Sequence, residues 1–236
     1  SPSVPYLHSM MSFLRTIAHR DEGTGALGRH GTLLTSLILL LVALPIAQMF
    51  SGSTPRFTIL LTLVLVSAIV VNSHQRWIFT VAGVVGVAAI AVIFVAELTN
   101  SAPARIASDV LALGLLSFTT LVMLNSLIQT EEVSNDTIVG GICVYLLFGM
   151  CFTMVFVLLT EIQPGTFIDV GEAIARSDAD PSLHSTRLLY FSFVTLTTLG
   201  YGDITPNSDI AQMFVVAEAL IGQLYLTIFV ARLVGL

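Results

Sequence analysis

Apolar residues run along this chain in long unbroken blocks, and the polar residues are confined to the gaps between them. A hydrocarbon layer about 30 Å thick is crossed by roughly 20 apolar residues in a helix, at about 1.5 Å rise per residue. On that ruler Leu33 to Phe50, Phe57 to Val71 with its flanks, Trp77 to Ala96, Ile106 to Ile128, Ile138 to Leu159 and Ile210 to Leu236 are six predicted membrane spans. The breaks between them, SGSTPR, NSHQR, LTNSAPAR and QTEEVSNDT, hold the turn formers and charges that a lipid interior excludes. Trp77 is placed as an interfacial anchor, and Ala82, Gly86 and Ala89 share one face on which a neighbouring helix can pack closely. Six spans leave both termini on the same side.

Spans five and six are separated by a segment of a different kind. A polar stretch from Glu161 to Arg187 leads into LLYFSFVTLTTLGYGDITPNSD. Its helical part, roughly Thr186 to Thr198, is about 20 Å long, too short to cross, so it is predicted to enter the bilayer and return. Non-helical backbone at membrane depth is stable only where protein buries it or where it lines an aqueous cavity. The GYG at Gly200 to Gly202 is such backbone, and it is therefore expected to line a pore.

Composition narrows the class. The chain is 55% apolar and 10% charged, with a strongly positive mean hydropathy, too little charge to cover a soluble domain of 236 residues. Its basic residues are nine arginines and no lysine, scattered and outnumbered by 15 acids, which excludes a nucleic-acid footprint. Cys143 and Cys151 are eight residues apart in one apolar run, roughly 12 Å along a helix, too far for a disulfide, so both are packing residues. No HExxH, paired-histidine cluster or nucleophile constellation is present, and an enzyme built on the buried acids Glu218 and Asp109 is not expected; nor is any organic cofactor. The G-x-G-x-x-G at 23–28 lacks the strand that a dinucleotide site needs. The sequon Asn135-Asp136-Thr137 falls on the inner side and is read as chance. Met10 to Arg20 reads as an interfacial amphipathic helix.

The residues at the pore fit one chemistry. A cation leaving water needs a ladder of oxygens, and backbone carbonyls form one only if successive residues alternate in conformation. Glycine supplies the conformations that side chains disfavour, hence Gly200 and Gly202. One chain offers one oxygen at each level, so a ring of identical subunits is implied, and fourfold closure is the economical one. The re-entrant helix aims its carbonyl end, about half a negative charge, at the centre of that ring.

Residues 195–203, TLTTLGYGD, closely resemble the potassium-channel signature T-x-T-T-V-G-Y-G-D, departing from it only at Leu199 in place of valine. The chain as a whole looks like a small bacterial six-span potassium channel, the likeness being carried by the filter, the pore helix and the inner helix. The resemblance implies potassium sites at the carbonyls of Thr198, Leu199, Gly200 and Tyr201 and at the Thr198 hydroxyl, with Gly202 completing the ladder. Leu199 and Tyr201 then point their side chains away from the pore, so leucine for valine changes the packing behind the ladder and not the ligands. Thr195, Thr197, Tyr190 and Asp203 are its expected supports. Voltage-gated relatives commonly carry a tryptophan at the place of Tyr190, and here the phenol is available to Asp203. Gly222, twenty residues after Gly202, is either an inner-helix hinge or a packing glycine. Glu218, a buried acid in a membrane helix, either hydrogen-bonds the re-entrant helix or presents a charge to the pore.

Six-helix channels often carry arginine at every third position of the fourth span as a voltage sensor. Ile106 to Ile128 contains none, and its one charge, Asp109, stands a turn after Arg105 and is placed to pair with it. A charge moved through the field is worth about 2.3 kcal/mol per 100 mV, so weak voltage dependence is expected. The chain divides into an inner or interfacial segment (1–32), a four-helix unit without gating arginines (33–128), a short linker (129–138) that keeps each unit beside its own pore, and a pore unit (139–236). With the polar stretch outside, five arginines lie inside and four outside, a weak positive-inside bias.

The expected protein is thus an all-α, multi-pass protein of the cell membrane with cytoplasmic termini. Its partners are lipid, potassium ions and three further copies of itself, with no soluble ligand domain in this chain. A less selective monovalent cation channel is the alternative.

Overall fold

The computed structural model describes residues 28–51, 91–92, 102–130, 134–169 and 181–235. The second predicted span, all of the third except residues 91–92, the predicted Met10 to Arg20 helix, the glycine-rich 23–27 stretch and residues 170–180 of the predicted polar stretch lie outside the described residues. Five helices and two short strands follow in order: α1 (Gly28–Ser51), α2 (Ala102–Gln129), α3 (Asn135–Ile162), β1 (Phe167–Asp169), α4 (Pro181–Leu196), β2 (Ile204–Pro206) and α5 (Asp209–Gly235). Three of them, over Pro103–Gln129, Asn135–Ile162 and Asp209–Gly235, are long and apolar enough to cross a membrane. These correspond to the fourth, fifth and sixth predicted spans.

Helix α3 is the hub, packing against α1, α2, α4 and α5. Its start is set by side chains. The Ser134 hydroxyl accepts from the Thr137 N–H at 3.2 Å while Thr137 Oγ1 accepts from the Ser134 N–H at 3.3 Å, a reciprocal capping box that satisfies two end donors. Asp136 in the same turn accepts from the backbone N–H of His30 at 2.9 Å and meets its Nδ1 at 2.8 Å, fastening α1 to α3. The polar cluster containing the sequon is thus a helix start and a fastening. Within α3, Leu147, Met150 and Met154 are fully buried against Leu37 of α1 and Leu115 and Leu116 of α2. Between helices that a bilayer surrounds, such side chains stabilise the contact through close van der Waals packing and not through transfer from water. Cys143 and Cys151 are free thiols, the second 3.5 Å from the Thr120 hydroxyl of α2.

The C-terminal ends of α2 and α5 meet the N-terminal end of α3 in two ways. Gly141 opens a groove for the Phe229 ring, which stands where a Cβ would lie only 2.0 Å away. The Arg232 guanidinium donates to the carbonyls of Leu127 at 2.6 Å and Ile128 at 3.2 Å, and to that of Thr130. An arginine there satisfies carbonyls that the last turn of α2 leaves open and complements its negative end. Near the start of α2, Arg105 approaches Glu161 of α3 at 4.0 Å, an inter-helix pair that the sequence did not point to.

The segment between α3 and α5 departs from the predicted plan in detail. Helix α4, the predicted re-entrant helix, runs sixteen residues from Pro181 to Leu196, starting before Thr186 and ending before Thr198. Proline suits a first helical position because no intrahelical bond is lost there. The expected polar loop is also shorter, because β1 pairs antiparallel with β2, Phe167 opposite Pro206 and Asp169 opposite Ile204. Phe167 and Ile204 from this ribbon join Phe156 of α3, Leu188 and Phe191 of α4 and Ala211 of α5 in one buried cluster. The three aromatic rings meet there at centroid distances of 5.2–5.5 Å. The stretch leaving the candidate site is therefore pinned to the top of the protein at its first residue after Asp203.

Candidate functional site

Helix α4 ends where the sequence places two threonines before a glycine. Its last carbonyls turn back on the chain: Thr198 N donates to Thr195 O at 2.9 Å, Thr197 N to Phe193 O at 3.0 Å, and Leu199 N to Val194 O at 2.9 Å. The Thr197 hydroxyl donates to Phe193 O at 2.6 Å. Thr195 and Thr197 thus build the turn from which the extended segment leaves.

Over the next five residues the backbone alternates. Thr198, Gly200 and Gly202 have φ of 60°, 56° and 76°, and among the described residues Thr198 is the one non-glycine with positive φ. A left-handed residue at every second position turns successive carbonyls toward the same side, the arrangement that a carbonyl ladder requires. Residues 198–202 are all exposed in the single chain, with Leu199 59% and Tyr201 66% exposed. Thr198 also accepts from Gln223 Nε2 of α5 at 3.4 Å, a contact the sequence did not announce.

The seat beneath this segment is made by α3 and α5. Tyr145 Oη of α3 donates to the terminal carbonyl of α4, Leu196 O, at 3.1 Å. On α5, Gly222 faces the same carbonyl so closely that a Cβ would stand 2.6 Å from the oxygen. That approach requires glycine whether or not the helix bends there. One turn earlier, Glu218 is fully buried with Oε1 2.5 Å from Ser192 Oγ of α4. Its side chain therefore meets α4 and is closed off from solvent. Neither Ser192 nor Tyr145 was singled out in the sequence, where a serine or tyrosine in an apolar helix carries no signal of its own.

Above the segment, Tyr190 of α4 is 42% exposed and lies beside Asp203. Loss of water, then the Asp203 carboxylate accepting its hydroxyl, push the phenol above its ordinary range, so it remains a donor at neutral pH. Tyr190→Phe removes that donor and leaves the ring. Current through the protein is expected to decay roughly two- to fivefold faster in sustained recordings, the scale of an exposed ionic contact. Unchanged decay and unchanged selectivity would show that the pair does no supporting work.

Among the described residues no group of three His, Cys, Asp or Glu side chains is placed to hold a metal ion, so the oxygens on offer at this site are carbonyls and a hydroxyl. An alkali cation is the class of ion that such neutral oxygens suit.

Residues 165–236 match the model of a family described as ion channel. The chain is also similar to proteins named as potassium channels. It is 40% identical over 62 residues to voltage-gated delayed rectifier potassium channel KCNH1 of Rattus norvegicus, covering 25% of this chain and 6% of that protein. Over 89 residues it is 34% identical to two pore potassium channel c of Oryza sativa subsp. japonica, covering 38% of this chain and 18% of the relative. Over 42 residues it is 50% identical to voltage-gated delayed rectifier potassium channel KCNH5 of Homo sapiens, covering 17% of this chain and 4% of the relative. The chain thus spans a small part of the length of these relatives. No solved structure matches it. The C-terminal part of the chain matches an ion-channel family; with three helices among the described residues fit to cross a bilayer, this is a membrane protein.

Proposed function

We propose that the chain is one subunit of a homotetrameric, potassium-selective channel that conducts passively along residues 198–202. The observation that carries this reading is the positive φ at Thr198, Gly200 and Gly202, at the carbonyl end of a sixteen-residue helix wedged between two spans. The Thr198, Leu199, Gly200 and Tyr201 carbonyls and the Thr198 hydroxyl are the proposed ligands, held at the right spacing by the turn, by Asp203 with Tyr190, and by the ribbon. Each chain supplies one oxygen per level, so several chains are needed to replace a hydration shell. Met213, Leu220, Leu224 and Ile228 of α5 are each more than half exposed in the single chain, apolar surface that subunit neighbours would cover. The proposed subunit has six spans in the cell membrane and cytoplasmic termini, and its voltage dependence is weak because α2 carries no arginine beyond Arg105 at its outer end.

The test is the reversal potential of the purified full chain in a planar bilayer, with potassium on one side and sodium on the other. A value near the potassium equilibrium potential is expected, together with a shallow conductance–voltage curve. A reversal near zero with current flowing supports the second reading, a less selective cation channel. The bulkier Leu199 side chain behind the ladder and the half-open Tyr190 contact favour that alternative. A steep curve carrying several elementary charges overturns the weak voltage dependence.

A further inference from the structure

The buried contact between α3, α4 and α5 contains more oxygens than its visible donor can serve. Ser192 Oγ lies 2.7 Å from the carbonyl oxygen of Gly149 on α3 and 2.5 Å from Glu218 Oε1 on α5. Two oxygens at such distances attract only with a hydrogen between them, so the two contacts need two protons. The serine hydroxyl has one, and a carbonyl has none to give. The second can come only from the carboxyl group. Neighbouring donors are already committed, since the Thr153 hydroxyl donates to Gly149 O at 2.8 Å and Tyr145 Oη to Leu196 O.

The surroundings agree with a neutral acid. Ser192 and Glu218 are fully buried, and Glu218 Oε2 has no hydrogen-bond partner among the described residues. No basic side chain there pairs with Glu218. An ionised carboxylate with one oxygen unserved and no counter-charge is among the costliest arrangements a protein interior can hold. A protonated one leaves only a weakly accepting oxygen bare.

We propose that Glu218 is a neutral positioning residue whose carboxyl proton completes the chain Glu218 Oε1–H to Ser192 Oγ–H to Gly149 O, locking the pore helix between outer and inner helices behind the filter. Ser192 lies on α4 one turn before its last residue, Leu196, and the turn that leads to Thr198 is bonded to that helix end, so this lock sets where the ladder begins. Gly149 belongs to it sterically as well, because a Cβ there would stand 2.8 Å from the Phe193 ring of α4. The positioning role rests on the channel reading; the proton does not.

The test uses the full chain reconstituted in liposomes. Infrared spectra at neutral pH are expected to show the C=O stretch of a buried protonated carboxylic acid that is absent from Glu218→Gln. Its absence from the wild type overturns the neutral acid, whatever the protein conducts. In bilayers Glu218→Gln, whose amide N–H donates to Ser192, is expected to keep the wild-type reversal potential. Glu218→Leu fills the space without donating, and loses at least about tenfold of the preference for potassium over sodium, the scale of a stranded buried acceptor. Should the leucine variant not assemble, Ser192→Ala is read in its place with the same expectation. Wild-type selectivity in the leucine or alanine variant overturns positioning, and a glutamine variant as impaired as the leucine one shows that charge, not the proton, was needed. A wild type that is itself unselective defeats the channel reading and leaves the infrared result to decide the proton.

Discussion

Gly222→Ala is expected to abolish selective conduction although it adds one methyl group. The methyl carbon would stand 2.6 Å from Leu196 O and 2.9 Å from Leu196 Cδ1. The side-chain carbon can rotate away, but the carbonyl cannot, because it belongs to the last turn of α4 and is held from the other side by Tyr145 Oη at 3.1 Å. Relief requires α4 to shift off α5, at about 1–3 kcal/mol for overpacking of this kind in each chain. The turn that follows moves with it, since Thr198 and Leu199 are bonded to the carbonyls of Thr195 and Val194. The preference for potassium over sodium is expected to fall at least about tenfold, for which a loss of roughly 1.4 kcal/mol suffices.

Reversal potentials of Gly222→Ala and of Gly114→Ala check this together. The second glycine, on α2, has nothing among the described residues within 4 Å of the place a Cβ would take, so its variant should behave as wild type. The pair also separates the two roles open to Gly222. A hinge whose flexibility alone mattered would leave selectivity intact and change only how often the channel opens. A packing glycine under the pore helix changes selectivity itself.

What the sequence disclosed and what it withheld divide along a physical line. The spans at 106–128, 138–159 and 210–236 were legible because a bilayer imposes a length on apolar runs, and α2, α3 and α5 cover them, the last as far as Gly235. The alternating backbone was legible because Gly200 and Gly202 are the residue type that the conformation favours. Thr198 shares that conformation without advertising it, since a threonine is held there by its surroundings. The ribbon of β1 and β2 escaped notice because three-residue strands carry no period, and their pairing joins segments separated by the whole of α4. Nothing in the sequence set Arg232 apart from the other scattered arginines. Its acceptors are the backbone carbonyls of Leu127, Ile128 and Thr130, which no residue type announces. Glu218 was recognisable as an anomaly, but the oxygens that explain it sit 26 and 69 residues away, on Ser192 and Gly149.

Gly200→Ala and Gly202→Ala are expected to cost the channel its selectivity through backbone conformation alone. Nothing lies within 4 Å of a Cβ at either position in the single chain, so crowding there is not the cause. Their φ values of 56° and 76° are, because an L side chain in the left-handed region costs about 1–2 kcal/mol. The segment already bears one such residue at Thr198. In a homotetramer the added cost recurs in every chain, about 4–8 kcal/mol for the ring, comparable with the whole stability of a small domain. The cheapest escape is rotation of a peptide unit, which turns one carbonyl of the ladder away from the axis and leaves the ion short of oxygens. Assembled variants are therefore expected to reverse near zero or to carry no current. Gly165→Ala is the control, because Gly165 has φ of 83° and equally open surroundings but lies in the turn after α3. It bears the same strain of about 1–2 kcal/mol, which should lower thermal stability and leave the reversal potential where it was. If all three variants lost stability alike and none lost selectivity, the alternation at 198–202 would be a property of the turn and not the means of conduction.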